Sequence, residues 1–265
     1  MNENNPIPPQ VPPQIPTGNP PSANYPSRSP LGESPEDQQP VRGVAAAIES
    51  ILRQPRRVMF QLRQPGAGKL MAAMLFISVV CSLIYGVIVG SFSGHEQWWA
   101  APVKIAGGLL ISTVICLPSL YIFACLSGSR ARLEEIVGMV SGLLMLMMLL
   151  LIGFAPVAWL FSESTNSLWW MGALHLLFWF ISTVFGLRFL NAAFSHSNAR
   201  SNAGLNTWIV IFVLVALQMT TALRPIVGRA DTFLPEEKEF FLAHWFHCLD
   251  KSEWDRPMKR TSSYE

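Results

Sequence analysis

The chain has 265 residues, of which 51% are hydrophobic and 14% charged, and its formal net charge is +2. A water-soluble domain carries about 25% charged residues, so this composition excludes an ordinary soluble globular protein. The near-neutral balance gives no electrostatic case for nucleic acid as a partner.

Residues 1–40 are rich in Pro, Asn, Gln and Ser and nearly devoid of large apolar side chains. Such a segment cannot bury enough surface to offset its ordering entropy, so it reads as a disordered leader with polyproline II character. It contains no apolar core of a cleavable signal peptide, which leaves insertion to the first span. Pro9-Gln10-Val11-Pro12 and Pro13-Gln14-Ile15-Pro16 fit the P-x-x-P pattern of SH3 ligands, but a solvated tail is the preferred reading of them.

Over residues 41–69, Val44, Ile48, Ile51 and Leu52 share a helical face, with Arg53, Arg56, Arg57 and Arg63 close behind. That pattern predicts a basic amphipathic segment lying in the membrane interface. Its arginines would sit over anionic headgroups, at roughly 1 kcal/mol each. Pro55 and Pro65 divide it into short pieces, because each removes a backbone donor.

Residues 70–227 hold five apolar stretches, at 70–91, 103–126, 136–161, 168–190 and 207–223. Each comes near the ~20 residues that a helix needs to cross a bilayer. Barrel strands would alternate apolar with polar over about 10 residues, so the predicted fold is all-α, an integral membrane bundle of about five transmembrane helices. With the N-terminus inside, Arg42, Arg53, Arg56, Arg57, Arg63, Lys69, Arg130, Arg132, Arg188 and Arg200 fall on the cytoplasmic side, and the short outer loops keep only Lys104. Trp98, Trp99, Trp159, Trp169 and Trp170 then form a belt at the outer headgroups. Five crossings put the C-terminus outside. Residues 228–265 form a tail in which Pro235-Glu236-Glu237 opens a short amphipathic helix bearing Phe241, Leu242, Trp245, Phe246 and Leu249. Its basic residues, Arg229 and Lys238 among them, argue for the cytoplasm instead, but long terminal segments translocate regardless of charge.

Few residues carry chemistry. Gly86-x-x-x-Gly90 and Gly138-x-x-x-Gly142 have the spacing of close helix packing, within one subunit or in self-association. His175, Gln218, Thr220, Thr221 and Arg224 are polar groups in apolar surroundings, and Gln218, Thr221 and Arg224 share a helical face. With no acidic residue at the midplane to complete a relay, the polar cluster of His175, Gln218, Thr221 and Arg224 reads as hydrogen-bonded packing. Pro118 and Pro156 interrupt the second and third spans and free carbonyls one turn earlier, as in the broken helices of transporters and in many inert bundles. The four cysteines, Cys81, Cys116, Cys125 and Cys248, match no zinc or redox spacing. His244-x-x-His247-Cys248 falls short of a four-ligand site, so no metal or cofactor is expected. Neither G-x-S-x-G nor H-E-x-x-H nor a pair of membrane aspartates occurs, so no enzyme activity is expected.

Arg53-Gln54-Pro55-Arg56 ahead of the first span resembles the basic, proline-containing lead of bacterial Yip-type membrane domains. Cys116-Leu117-Pro118-Ser119-Leu120-Tyr121-Ile122-Phe123 running into Leu126-Ser127-Gly128-Ser129-Arg130 adds to the likeness, as do Gly153-Phe154-Ala155-Pro156-Val157-Ala158-Trp159 and Gly186-Leu187-Arg188. The series ends with Gln218-Met219-Thr220-Thr221-Ala222-Leu223-Arg224-Pro225. Together they are similar to an uncharacterised family of bacterial multispan proteins of Yip-type layout, over roughly residues 48–241. The resemblance implies an inner-membrane helical bundle with no established reaction, cofactor or substrate. Eukaryotic Yip proteins assist membrane traffic with small GTPases, but their recognition motif is not evident in this chain.

The expectation is therefore a non-enzymatic accessory or scaffold protein of the bacterial plasma membrane. Its partners would be the bilayer, anionic headgroups and other membrane proteins or further copies of itself. The rival is a small transporter or channel component in which Pro118, Pro156, Gln218 and Arg224 line a polar path.

Overall fold

The computed structural model describes residues 30–93, 97–129, 131–164, 168–197 and 201–222. The chain divides into two compact units, Met1–Pro30 and Leu31–Glu265, and every helix described belongs to the second. The leader over residues 1–29 and the tail over residues 223–265, with its expected amphipathic helix, lie outside the described residues.

Every regular element among the described residues is a helix: α1 (Val44–Arg53), α2 (Pro55–Gln61), α3 (Gly68–Ser93), α4 (Gln97–Leu126), α5 (Leu133–Ser164), α6 (Leu168–Ser195) and α7 (Ala203–Ala222). Pro55 stands in the first turn of α2, where a missing N–H breaks no intrahelical bond. Among the described residues four stretches are long and apolar enough to cross a membrane: Gly68–Ser91, Trp98–Leu126, Leu133–Phe161 and Trp170–Ser195. In α7 the apolar stretch is shorter, Ala203–Met219. The protein is an all-helical membrane bundle.

The helices outrun the apolar runs that reveal them. α4 begins at Gln97, and α5 extends from Leu133 to Ser164. A helix satisfies its own backbone groups in water as well as in lipid, so it does not stop where the hydrocarbon does. Lys104, expected in an outer loop, is consequently inside α4, and it is only 2% exposed.

The helices are ordered α6, α5, α3, α4, α7 by their main contacts. α3 stands in the middle of this order, and α5 is the most buried member, with 67% of its apolar window buried against 39% for α3. Ile136, Val140, Leu143, Met147, Leu151, Ala155 and Ala158 recur at helical spacing along its inward face, and Met139, Met145 and Met148 fill the other sides. Glycines set the close approaches. A Cβ on Gly86 would overlap Cα of Pro102, one on Gly142 would strike the Phe189 ring, and one on Gly186 would meet Met147 and the Leu143 carbonyl. A Cβ on Gly138 would press on Leu62 and Met71. Gly86, Gly138 and Gly142 are thus occupied by contacts within one subunit, and Gly90 is buried.

The same contacts give direction. Gly138 near the start of α5 meets Met71 near the start of α3, and Gly204 near the start of α7 meets Ser127 just past the end of α4. One end of the bundle therefore gathers the starts of α3, α5 and α7 and the ends of α4 and α6. Gly128, at φ +74°, closes α4 with the bonds Gly128 N–H to Cys125 O and Ser129 N–H to Ala124 O. Ser129 Oγ then pairs with Ser197 Oγ at 3.0 Å beyond α6.

At this end α1 and α2 form a cap. Ala47, Ile51, Val58, Met59 and Leu62 join the core, while Val44 and Leu52 stay 49% exposed. Residues 31–40, assigned by composition to the leader, fold against α2, because their polar backbone finds donors there. At the opposite end Trp98, Trp99, Trp159 and Trp170 are all more than half exposed; the Trp169 side chain lies outside the described residues.

The α3–α4 crossing is the sharpest steric point. Gly86→Ala should lower stability by about 1–3 kcal/mol, because the clash is with backbone. Gly153→Ala, with nothing near its Cβ position, should stay within about 0.5 kcal/mol. Thermal unfolding of both variants in one detergent checks the contrast.

Candidate functional site

Two polar regions stand out, one inside the bundle and one on the cap. Inside, Tyr85 on α3 and His175 on α6 form a hydrogen bond of 2.7 Å between Tyr85 Oη and His175 Nδ1, with the rings edge to face at 5.7 Å. Tyr85 lies about two turns before the end of α3 and His175 about two turns after the start of α6, so both sit at one depth. His175 Nε2, Ser182 Oγ and Thr183 Oγ1 are buried without a hydrogen-bond partner among the described residues. The three belong to α6, with Ser182 at 0% and Thr183 at 2% exposure.

Of the residues expected to cluster with His175, Gln218 is half-buried on α7, which packs against α4 rather than α5. The Thr221 side chain and the whole of Arg224 lie outside the described residues. Tyr85 escaped the sequence reading because a tyrosine in an apolar run looks like core. The signal that finds it is its depth, matched to that of His175.

Pro118 and Pro156 stand inside unbroken α4 and α5, and both are exposed on the outer surface of the bundle. Near Pro118 the carbonyl of Cys116 accepts two side-chain bonds, from Ser119 Oγ at 2.7 Å and from Trp208 Nε1 on α7 at 2.8 Å. Trp208 is 1% exposed and stacks on Phe212, so this bond fastens α7 to α4. Cys81, Cys116 and Cys125 are free thiols, and no metal-ligand cluster occurs among the described residues. A cleft of about 510 Å³ lies between the end of α5 and the start of α6, lined by Phe161, Ser164, Trp170, Ala173, Leu174 and Leu177. It is an apolar, outward-facing feature, well away from Pro118.

On the cap each sequence-predicted arginine has a partner. Arg53 meets Glu49 at 3.5 Å with both side chains in solvent. Arg56 reaches Asp37 at 3.4 Å, and Arg57 donates to the carbonyls of Gln39 and Pro40. Arg63 is half-buried beside Glu135, which also pairs with Arg132 at 3.3 Å. Burial pulls the Arg63 guanidinium below the ordinary arginine value and Glu135 pulls it back up; an arginine so placed keeps its charge.

No family model, curated protein or solved structure matches the chain.

The Tyr85–His175 bond can be weighed by a double-mutant cycle. Tyr85→Phe and His175→Leu should each destabilise the bundle, with a coupling of about 1 kcal/mol between them. Chemical unfolding of the two single variants and the double variant in mixed micelles measures it, and additive losses would mean that the pair does not act as a unit.

Proposed function

We propose that the chain is a non-enzymatic accessory or scaffold protein of a bacterial plasma membrane, of Yip-type layout, with its N-terminus and cap on the cytoplasmic side. The cap carries the reading: α1 and α2 are folded onto one end of the bundle and present charged and apolar side chains outside the spans. Arg53, Arg56, Arg57, Arg63, Lys69 and Arg132 gather at that end, while the exposed tryptophans gather at the other. Cytoplasmic flanks hold the excess of Lys and Arg, which supports this orientation.

The transporter reading finds less support. Broken-helix sites turn their interruptions toward a cavity, whereas Pro118 and Pro156 face outward.

Binding at the cap is tested in intact membranes. A benzophenone side chain introduced at Leu52 should give discrete protein adducts, and one at the outward-facing Val114 should give lipid adducts alone. Identical products from both positions would remove the scaffold reading. For orientation, a fluorescent protein fused ahead of Met1 should fluoresce and a phosphatase fused after Glu265 should be active. A silent phosphatase would place the tail inside.

A further inference from the structure

One polar face of α2 carries Arg56, Arg57 and Gln61, and the chain's own residues 31–41 lie across all three. Arg56 Nη2 donates to Asp37 Oδ2 at 3.4 Å. Arg57 donates through Nε to the Gln39 carbonyl at 2.8 Å and through Nη2 to the Pro40 carbonyl at 3.0 Å. Gln61 donates through Nε2 to the Gln39 carbonyl and accepts the Val41 N–H at 3.0 Å. The segment is also braced on itself: Asp37, 5% exposed, accepts the Gly32 N–H at 3.2 Å, and Gln38 Nε2 donates to the Gly32 carbonyl at 2.8 Å. Gly32, at φ +94°, lies against the Phe60 ring so closely that a Cβ there would overlap it. Residues 31–41 form a strap.

The oxygens that the strap offers this face include the Asp37 carboxylate and the Gln39 and Pro40 carbonyls. Arg57 bonds only neutral oxygens among the described residues, the Gln39 and Pro40 carbonyls and Gln54 Oε1. A guanidinium so placed would form stronger, charge-assisted bonds with an anionic oxygen, and its planar fork matches phosphate as well as carboxylate. Beside the face, on α1, Val44 and Leu52 are 49% exposed and the Arg53 side chain is 78% exposed. This is the arrangement of a surface that meets headgroups with charge and the acyl boundary with apolar groups.

We propose that Arg56, Arg57 and Gln61 form a site for the phosphodiester of an anionic lipid headgroup, and that the strap covers this site in cis, so that headgroup and strap compete for the same donors. The inference rests on the cytoplasmic placement of the cap proposed above and adds its regulation. Asp37 holds the strap shut by supplying an anion already in place on Arg56. When an anionic headgroup takes the arginines, the strap lifts from α2.

The full chain in nanodiscs tests this by hydrogen exchange at the Val41 amide, which bonds Gln61 across the contact between strap and α2, and at the Gly32 amide, whose acceptor Asp37 also holds Arg56. Replacing phosphatidylcholine by a mixture with phosphatidylglycerol should speed exchange at both amides at least threefold. Asp37→Asn should speed it in phosphatidylcholine alone and raise the phosphatidylglycerol retained after detergent extraction. In an Arg56→Gln and Arg57→Gln double variant, exchange should be fast in both lipids and the retained phosphatidylglycerol should fall. Indifference of both amides to lipid charge, or retention unchanged in Asp37→Asn, would overturn the proposal. Opening by soluble glycerol phosphate as readily as by lipid would overturn the lipid as ligand. If the fusions place the N-terminus outside, the cytoplasmic reading fails by itself; if they place it inside while the amides ignore lipid charge, only the competition fails.

Discussion

Lipid tails are as apolar as the leucines and valines that cover these helices, so no helix gains by hiding them from its surroundings. What holds the bundle is close contact between backbones and side chains where α3, α4, α5 and α6 cross, and such contact requires small residues at the crossings. Gly86 against Pro102, Gly142 under Phe189 and Gly186 against Leu143 and Met147 are those points. α5 is the most buried helix in part because α6 approaches it this closely at Gly142 and Gly186. The methionines at Met139, Met145, Met147 and Met148 fill what the crossings leave open.

Polar side chains within the spans obey the same scarcity of partners. Most hydroxyls bond back to their own helix, as Ser78 does to the Met74 carbonyl, Ser112 to that of Gly108 and Ser141 to that of Val137. Tyr85 to His175 and Trp208 to Cys116 are different, because they cross between helices. Each fixes a rotational setting that apolar contact alone leaves loose: α6 relative to α3, and α7 relative to α4. In hydrocarbon the alternative to such a bond is an unsatisfied group, which makes the setting selective.

Packing fixes the cap in the same manner, with Leu62 wedged beside Gly138, and this firmness lets it display charge at a defined place. Several arginines of the cap are engaged within the chain. Protein oxygens already hold Arg56 and Arg57, and Arg63 shares Glu135 with Arg132. A scaffold whose basic face is engaged by its own chain is one whose availability can change, which joins the proposed role to the strap.

Much was legible in the residues themselves. Apolar runs of bilayer length announce helices because lipid leaves a spanning chain few other options, and Pro55 divides the cap helices by local geometry alone. The limits of α4 and α5 were less legible, since polar residues continue a helix beyond the hydrocarbon at no penalty. Residues 31–40 looked like open chain because composition measures burial of apolar surface, whereas these residues are held by hydrogen bonds to α2. The sequence by itself determined that the chain is helical and lipid-solvated, because those properties follow from summed hydropathy and backbone hydrogen bonding. Only the tertiary structure decided that Pro118 and Pro156 face outward, that His175 answers Tyr85, and that Arg57 meets the strap. Those facts depend on which helix lies beside which and at what rotation, and no pattern within a single helix encodes its neighbour.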